Sequence, residues 1–498
     1  MKQLIHGGRL LTVGRLDGDH ADILIDGDTI AAVLPPGESV SANVKRVDAR
    51  DRLLIPGLVN SHTHAPAALS RAMADRWSLE LLLNAYPWTA GGRTLEMKYL
   101  SAKIGALEML RKGCTACYDM AAEIPAPSIE GINAVARAYS DVGIRAVIAP
   151  MMADTTFYRA IPGLIEAMPA PLREKAEAMR ATPYDISLGI CKELVQNWSY
   201  DREQLRPGLG PTIPHHCSDA FITGCRDLAK AHGIGIQMHV AESKMQAIVG
   251  PRKYGTTLVG HLHKLGLIGP NFTAAHAVWL DDDDMAKMAD AGASVSHNPG
   301  SNLKLGSGLG AARKMRDSGI TVGIGTDGCS SSDNQNMFEA MRIAAYISRV
   351  QGPDPRQWLT AAEAFEAATK GGARALGMER SIGQIAPGFK ADIVFLDLTS
   401  INYIPLNVPL YNVVFVEDGT GVDRVMVGGR VKLEGGKIVG EDMPKLAAEA
   451  AAAVEYLGKV NAGARELVHL LEPVVLDYCV GLASEPYHVQ RWCEHHHA

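Results

Sequence analysis

Residues 54–64 read Leu-Ile-Pro-Gly-Leu-Val-Asn-Ser-His-Thr-His, an apolar run that closes on two histidines spaced i, i+2. Such a run suits a buried strand, and the period of two puts His62 and His64 on the same side of it. Seven more short apolar segments follow at 113–120, 144–152, 206–214, 233–242, 272–280, 292–299 and 321–328. Helix-like stretches separate them, among them 220–233 and 281–292. The second of these gathers its Asp residues in the first turn and ends on Gly292, as a helix macrodipole and a C-cap prefer. Eight strands alternating with helices predict an α/β fold, a (β/α)8 TIM-like barrel over residues 57–382. A long open doubly wound sheet is the competing arrangement, but no Gly-rich dinucleotide fingerprint follows the first strand.

Outside this span the texture changes. Residues 4–13, 21–33 and 46–57 read as short strands joined by turns, and the same texture returns at 383–398 and 422–439, where Gly-Gly pairs separate the strands. Neither end has the strands for a stable sandwich alone. Together, residues 1–56 and 383–440 predict one composite β-sandwich domain, with the chain leaving for the barrel and coming back. Residues 441–498 turn Ala- and Glu-rich and predict a helical extension packed on the barrel or on a partner subunit.

Composition narrows the class. The chain has 498 residues, and at about 150 per domain this suggests about three domains. Lys+Arg 49 against Asp+Glu 55 gives a net charge of −6, which argues against nucleic acid or a membrane surface as partner. No run approaches the roughly 18 apolar residues of a transmembrane helix. Gly7, Gly8 and Arg9 break the N-terminal apolar run, against a secretory signal peptide. Eight scattered Cys in a large chain favour reduced thiols and a cytoplasmic location. The Cys114–Cys117 pair has CxxC spacing but lies in an apolar strand with no second pair, so it reads as core. The terminal Glu-His-His-His-Ala is either natural or a tag remnant and is left out of the chemistry.

The polar residues at the strand ends carry the chemistry. In a barrel, catalytic groups sit at the C-terminal ends of the strands. His62 and His64 end the first, His239 and Glu242 the fifth, His276 the sixth, His297 the seventh and Asp327 the eighth. Any one has an ordinary reading: a core histidine, a loop acid, an Asp-Gly turn at 327–328. Five strand ends together make a metal-site composition, since neutral imidazoles with one carboxylate suit Zn2+ or a similar divalent ion.

The segments PGLVNSHTH, HVAE, AAH at 274–276, HNPGSN and GIGTDG resemble the metal-dependent amidohydrolase superfamily. The likeness is closest to its aminohydrolase branch of nucleobase, adenosylhomocysteine and s-triazine deaminases and chlorohydrolases, and it covers nearly the whole chain. It implies that His62, His64, His239 and Asp327 ligate a metal, that Glu242 shuttles protons, and that His276 polarises the substrate or orients the water. Binuclear members carry a carboxylated Lys at the end of strand four. Here 206–214 reads RPGLGPTIP with no Lys, so one divalent ion per chain is expected, Zn2+ first and Fe2+ or Mn2+ as alternatives.

The expected activity is hydrolytic deamination of an aminated nitrogen heterocycle of purine, pyrimidine, pterin or s-triazine type, with a metal-activated hydroxide attacking an sp2 ring carbon. Hydrolysis of another bond at the same site (C–Cl, or a cyclic amide) is the alternative, and a non-catalytic metal-binding homologue is the reading from another class. A small heterocycle and water are the expected partners, in a homo-oligomer. Trp77, Tyr86 and Trp88 in the 65–93 loop either stack on the ring or pack the loop onto the barrel. His297, Asn302 and Ser330 are further candidates for substrate contact, while Ser330, Ser331 and Asn336 are equally good helix caps. Residues 296–308 resemble adenosylhomocysteine and methylthioadenosine deaminases. Two departures stand against a nucleoside: Thr212 replaces a substrate-reaching His, and YPWTAGGR lacks their acidic residue. His215 and His216 either replace that contact or lie on the surface.

Overall fold

The computed structural model describes residues 2–41 and 43–492. The histidine run and Cys493 lie outside the described residues. The eight apolar segments of the middle form parallel strands in two sheets. One sheet orders Gly210–Pro211, Arg145–Met152, Cys114–Ala122 and Leu58–Thr63, with Leu205–Pro207 on Arg145–Met152. The other runs Ile236–Val240, Phe272–His276, Ser294–His297, Thr321–Ile324. Backbone bonds tie their edges at both ends. Gln237 N donates to Leu209 O (2.9 Å) and His239 N to Thr212 O (2.8 Å), while Asp327 N donates to His62 O (3.0 Å). Gly325 permits that last approach, since a Cβ there would stand 2.3 Å from Asn298 Oδ1 and 2.9 Å from the His62 Cβ.

The opening segment divides at Gly57. Arg52–Pro56 pairs antiparallel with Ile393–Asp397 in a nine-stranded sheet that draws on both ends of the chain, and Leu58–Thr63 enters the parallel layer. A Cβ on Gly57 would fall 2.1 Å from Thr115 Oγ1, so only glycine fits the crossing. The 21–33 stretch forms the expected hairpin, Asp26 opposite Thr29, turning through Gly27 at φ 65°. Helices follow their local signals. Asp282–Asp290 starts on an Asp281–Asp284 capping box, and Asp219–His232 runs from Ser218 to a left-handed Gly233.

Residues 443–483 form two helices, Met443–Val460 and Ala462–Ala483. The second packs Leu471, Val475, Cys479 and Leu482 against Leu81, Met245 and Val249. Asn84 Nδ2 donates to Val468 O (3.2 Å) and Asn461 Nδ2 to Gly91 O (3.0 Å), pinning the middle and the C-terminal end of helix Leu79–Ala90. Cys114 and Cys117 are buried free thiols, and burial pushes Cys114 up to about 12. No helix among the described residues is long and apolar enough to cross a membrane.

One buried ion pair joins the end-built sheet to the parallel layer. Arg145 Nε and Nη2 grip Asp392 at 2.8 and 3.1 Å, and Asp392 Oδ1 also accepts from Gly428 N (2.7 Å). Asp392→Ala strands a buried guanidinium and is expected to cost about 3–5 kcal/mol, read from equilibrium denaturation. The double change Arg145→Met with Asp392→Leu should recover most of that loss.

Candidate active site

Every expected ligand sits where a strand of the parallel layer ends, and all are buried or nearly so. His276 and Asp327 adopt left-handed backbone, φ 68° and 60°, a conformation that costs a non-glycine residue about 1–3 kcal/mol and gathers at functional sites. The turn out of the strand aims both side chains inward instead of along the chain.

Each imidazole is fixed at Nδ1 by an oxygen. His62 Nδ1 meets Gln237 Oε1 (2.6 Å), His64 Nδ1 meets Met120 O (2.7 Å), His239 Nδ1 meets Thr212 O (2.7 Å) and His276 Nδ1 meets Asn302 Oδ1 (2.9 Å). A carbonyl oxygen only accepts, so each Nδ1 carries the proton and each Nε2 a lone pair. These lone pairs converge. His64 Nε2 and His239 Nε2 stand 3.2 Å apart, and Asp327 Oδ1 lies 3.5 Å from His62 Nε2 and 3.4 Å from His64 Nε2. Buried His62 Nε2 and His276 Nε2 have no hydrogen-bond partner.

The donor set fits a metal. With bonds of about 2.0–2.1 Å, the edge of a tetrahedron of ligands measures about 3.4 Å, which is the spacing found here. His62, His64 and His239 form one group of mutually close donors, and His62, His276 and Asp327 a second. Burial holds three of the rings neutral: His64 and His276 are drawn down to about 4, and His239 further below the usual range.

The two carboxylates are driven apart. Burial alone would raise Asp327, but its contact with His62 and its place beside His276 and His64 hold it well below the usual range. Burial raises Glu242 well above its own range, with Asp327 and then Glu80 adding to the rise. Glu242 Oε2 stands 3.6 Å from His276 Nε2. Ser243 donates to Glu80 Oε1 (2.7 Å), which ties the loop bearing Glu242 to helix Leu79–Ala90.

Above these groups lies a cavity. His64, His239, Glu242, His276 and Asp327 line its floor. Leu79, Leu82, Leu83 and Tyr86 from the helix, with Met151, Ile213 and Leu305, make a mostly apolar wall.

Family membership follows from the chain as a whole. The model of the amidohydrolase family matches residues 53–432. The chain belongs to that family. Among curated amidohydrolase relatives, the 5'-deoxyadenosine deaminase of Methanothermobacter thermautotrophicus is 34% identical over 460 residues, spanning 91% of this chain and 99% of that protein. A 5-methylthioadenosine/S-adenosylhomocysteine deaminase of Caldanaerobacter subterraneus subsp. tengcongensis is 33% identical over 85% of this chain and 91% of its own. Two solved structures are similar: a zinc-bound adenosine deaminase from Xanthomonas campestris (TM-score 0.79, 28% identity, 92% of this chain and 98% of that one) and the zinc complex of an atrazine chlorohydrolase from Arthrobacter aurescens TC1 (0.80, 27%, 91% and 99%).

Of the six residues named for the substrate, Tyr86 and Ser330 line this amidohydrolase cavity and Trp77, Trp88, His297 and Asn302 do not. Trp77 and Trp88 meet edge to face (6.0 Å), Trp77 packing beside Leu81 and Tyr158, and Trp88 under Arg465 and His469 of the C-terminal helix. Their apolar area goes to holding the loop down. His297 is fully buried below the floor, tight against Gly310. Asn302 reaches the site only through His276. Ser330 does line the cavity, as do Ser331 and Thr212. Asn336 caps helix Met337–Arg349 through Phe338 N (3.1 Å). His215 and His216 are neither on the surface nor on the cavity wall; burial keeps both neutral, His216 drawn down to about 3.

Sequence reasoning missed Gln237, Gln335 and Arg93. Gln237 had a signal, since it precedes His239 by two residues and therefore shares its strand face. Its Nε2 donates to Ser61 O (2.9 Å), fixing the amide so that Oε1 faces His62. Outer partners of this kind are worth about 10–100-fold in metal affinity. Gln237→Leu is expected to weaken metal binding by that factor in competition with a chromophoric chelator, and an unchanged affinity would show that His62 needs no orienting partner.

Proposed function

We propose that this amidohydrolase hydrolyses the exocyclic C–N bond of an aminated nitrogen heterocycle and releases ammonia. The observation that carries the reading is the pair of carboxylates at the floor of an apolar cavity: Asp327 within a group of close metal donors and drawn down, Glu242 outside it beside His276 and pushed up by burial. Groups pushed apart in this way divide the roles of base and acid.

In this reading His62, His64, His239 and Asp327 hold one divalent ion, for which Zn2+ is our choice. When bound, such an ion lowers the pKa of water toward about 7 and makes a nucleophile available near neutral pH. The chain's own groups do the rest. Asp327 takes the proton released as attack proceeds. Glu242 delivers its proton to the ring nitrogen, and later relays one to the leaving amine. His276, protonated at Nδ1 toward Asn302, offers only a lone pair at Nε2; it orients the attacking water and does not donate to the substrate. Helix Leu79–Ala90 and its apolar residues exclude bulk water and press a flat ring against the floor.

We read the two parallel sheets as one (β/α)8 barrel, closed by the Asp327–His62 and His239–Thr212 backbone bonds. We further divide the chain into a composite β-sandwich domain (1–56 and 383–440), the barrel (57–382) and the C-terminal extension, in a cytoplasmic homo-oligomer. Free thiols support the location, and exposed Val454, Val460, Leu470 and Val480 on the extension support the self-association.

The relatives point to two ring types. Curated relatives at 30–34% identity are deaminases of adenosine derivatives, whereas the cavity lining holds no carboxylate besides Glu242 and Asp327 to take up ribose hydroxyls. That favours, as a second reading, a compact ring of the triazine type, with chloride as an alternative leaving group. An ammonia- and chloride-release screen over 5'-substituted adenosines, pterins, pyrimidines and s-triazines separates these. Glu242→Gln should keep full metal content and lose about 10²–10⁴-fold in turnover; an active, metal-replete variant would remove Glu242 from the shuttle role.

A further inference from the structure

One charge on the cavity wall has no carboxylate partner among the described residues. Arg93 and Tyr86 both line the cavity, and Arg93 is the only Lys or Arg among the described residues that does. Burial draws the Arg93 guanidinium down to about 10. Its terminal nitrogens donate only to neutral acceptors: one to Pro66 O and Ser101 Oγ, the other to Ser70 Oγ (2.6 Å) and Thr89 O (2.9 Å). The groups whose charge bears on it are Tyr86 and Cys329, and burial keeps both protonated, Cys329 pushed up to about 11. Two other cations in the interior do have a carboxylate: Arg145 has Asp392 and Lys98 has Glu123. Among the described residues Arg93 has none.

Two donors are left over beside that charge. Arg93 Nε and Tyr86 Oη are buried and have no acceptor. An uncompensated guanidinium and unmatched donors are both costly in a buried wall, and a bound anion with two acceptor oxygens would relieve both costs together. A lone cation in an otherwise apolar wall matches a monoanion and leaves a dianion half neutralised.

We propose that Arg93 and Tyr86 form an anion subsite, and that the preferred substrate is an aminated heterocycle bearing a carboxylate. This rests on the deaminase reading above for the amino group, but the carboxylate preference can be tested without turnover. Three matched pairs serve as probes: pterin and pterin-6-carboxylate, 2-aminopyrimidine and its 5-carboxylate, 5'-deoxyadenosine and adenosine-5'-carboxylate. For each, calorimetry gives binding to the metal-loaded protein and ammonia release gives kcat/KM.

In at least one pair the carboxylate should be favoured by about 10–100-fold. Arg93→Gln should erase that ratio. Because Arg93 also braces Pro66, Ser70 and Thr89, a second variant covers a folding failure: Tyr86→Phe keeps those bonds, removes one donor and should reduce the ratio several-fold. A ratio that survives both changes overturns the proposal, as would a carboxylate held only by the metal. So does the absence of any favoured carboxylate, whether both members of each pair bind alike or neither binds. Carboxylate-selective binding that depends on Arg93, with no ammonia from any probe, would keep the subsite and sink the deaminase reading instead.

Discussion

Four imidazoles are each tied at Nδ1 to an oxygen, and this sets the terms for everything around them. The ties decide the tautomer, and the tautomer turns four lone pairs inward in two groups that share His62. Two neutral rings facing each other through Nε2 at 3.2 Å repel unless a cation lies between them. The strand ends, the left-handed turns at His276 and Asp327, and the bare glycine at 325 are the geometry needed to bring such an arrangement into a dry interior. A site of this kind is poor for apo stability and good for metal affinity, because the protein has already met the cost of orienting the ligands.

The same logic extends to the cavity wall. Helix Leu79–Ala90 supplies most of the apolar roof, yet nothing in its own sequence fixes its position. It is held by the C-terminal helix through Leu471, Val475 and Asn84, and by the Ser243–Glu80 bond to the loop that carries Glu242. The C-terminal extension is therefore part of the active-site architecture at one remove. Through Glu80, the roof also feeds a negative charge back to the acid below it.

The strand-end residues were legible because strand geometry is periodic and metal chemistry is selective about residue type. His62 and His64 at i, i+2 declare a shared face without any tertiary information, and no ordinary core collects so many imidazoles at strand ends. Contacts that depend on packing between distant segments were not legible. Trp77 and Trp88 look like stacking platforms in the chain, but 370 or more residues later comes the helix whose Arg465 and His469 occupy Trp88 instead. Asn302 and His297 sit in a motif that suggests substrate contact, and the fold puts them beneath the floor. Arg93 is one of 49 basic residues in the sequence, and only burial without a partner distinguishes it. Gln335 is a similar case: its amide bridges Thr63 Oγ1 (2.6 Å), Thr326 Oγ1 (2.9 Å) and Asp327 O (2.8 Å), a knot between the first and last strands that no local pattern announces.

Asp327 and Glu242 show why residue type alone does not assign roles in such a site. Both are buried carboxylates, and solvent exclusion pushes both upward. What separates them is neighbourhood. Asp327 stands among His62, His64 and His276 in the ligand set, and its place there holds it well below the usual carboxylate range. Glu242 faces that anion and Glu80, and its one imidazole contact is at 3.6 Å, so it keeps its proton. The ionisation of one thus favours the neutrality of the other, and the pair holds a single proton between them. Hydrolysis of an aromatic amine needs that arrangement: a proton must leave the nucleophile and another must reach a weakly basic ring nitrogen within the same enclosed volume. A site with two ionised acids would lack the donor, and a site with two neutral acids would lack both a ligand and a base. The asymmetry of imidazoles around the two carboxylates supplies the difference.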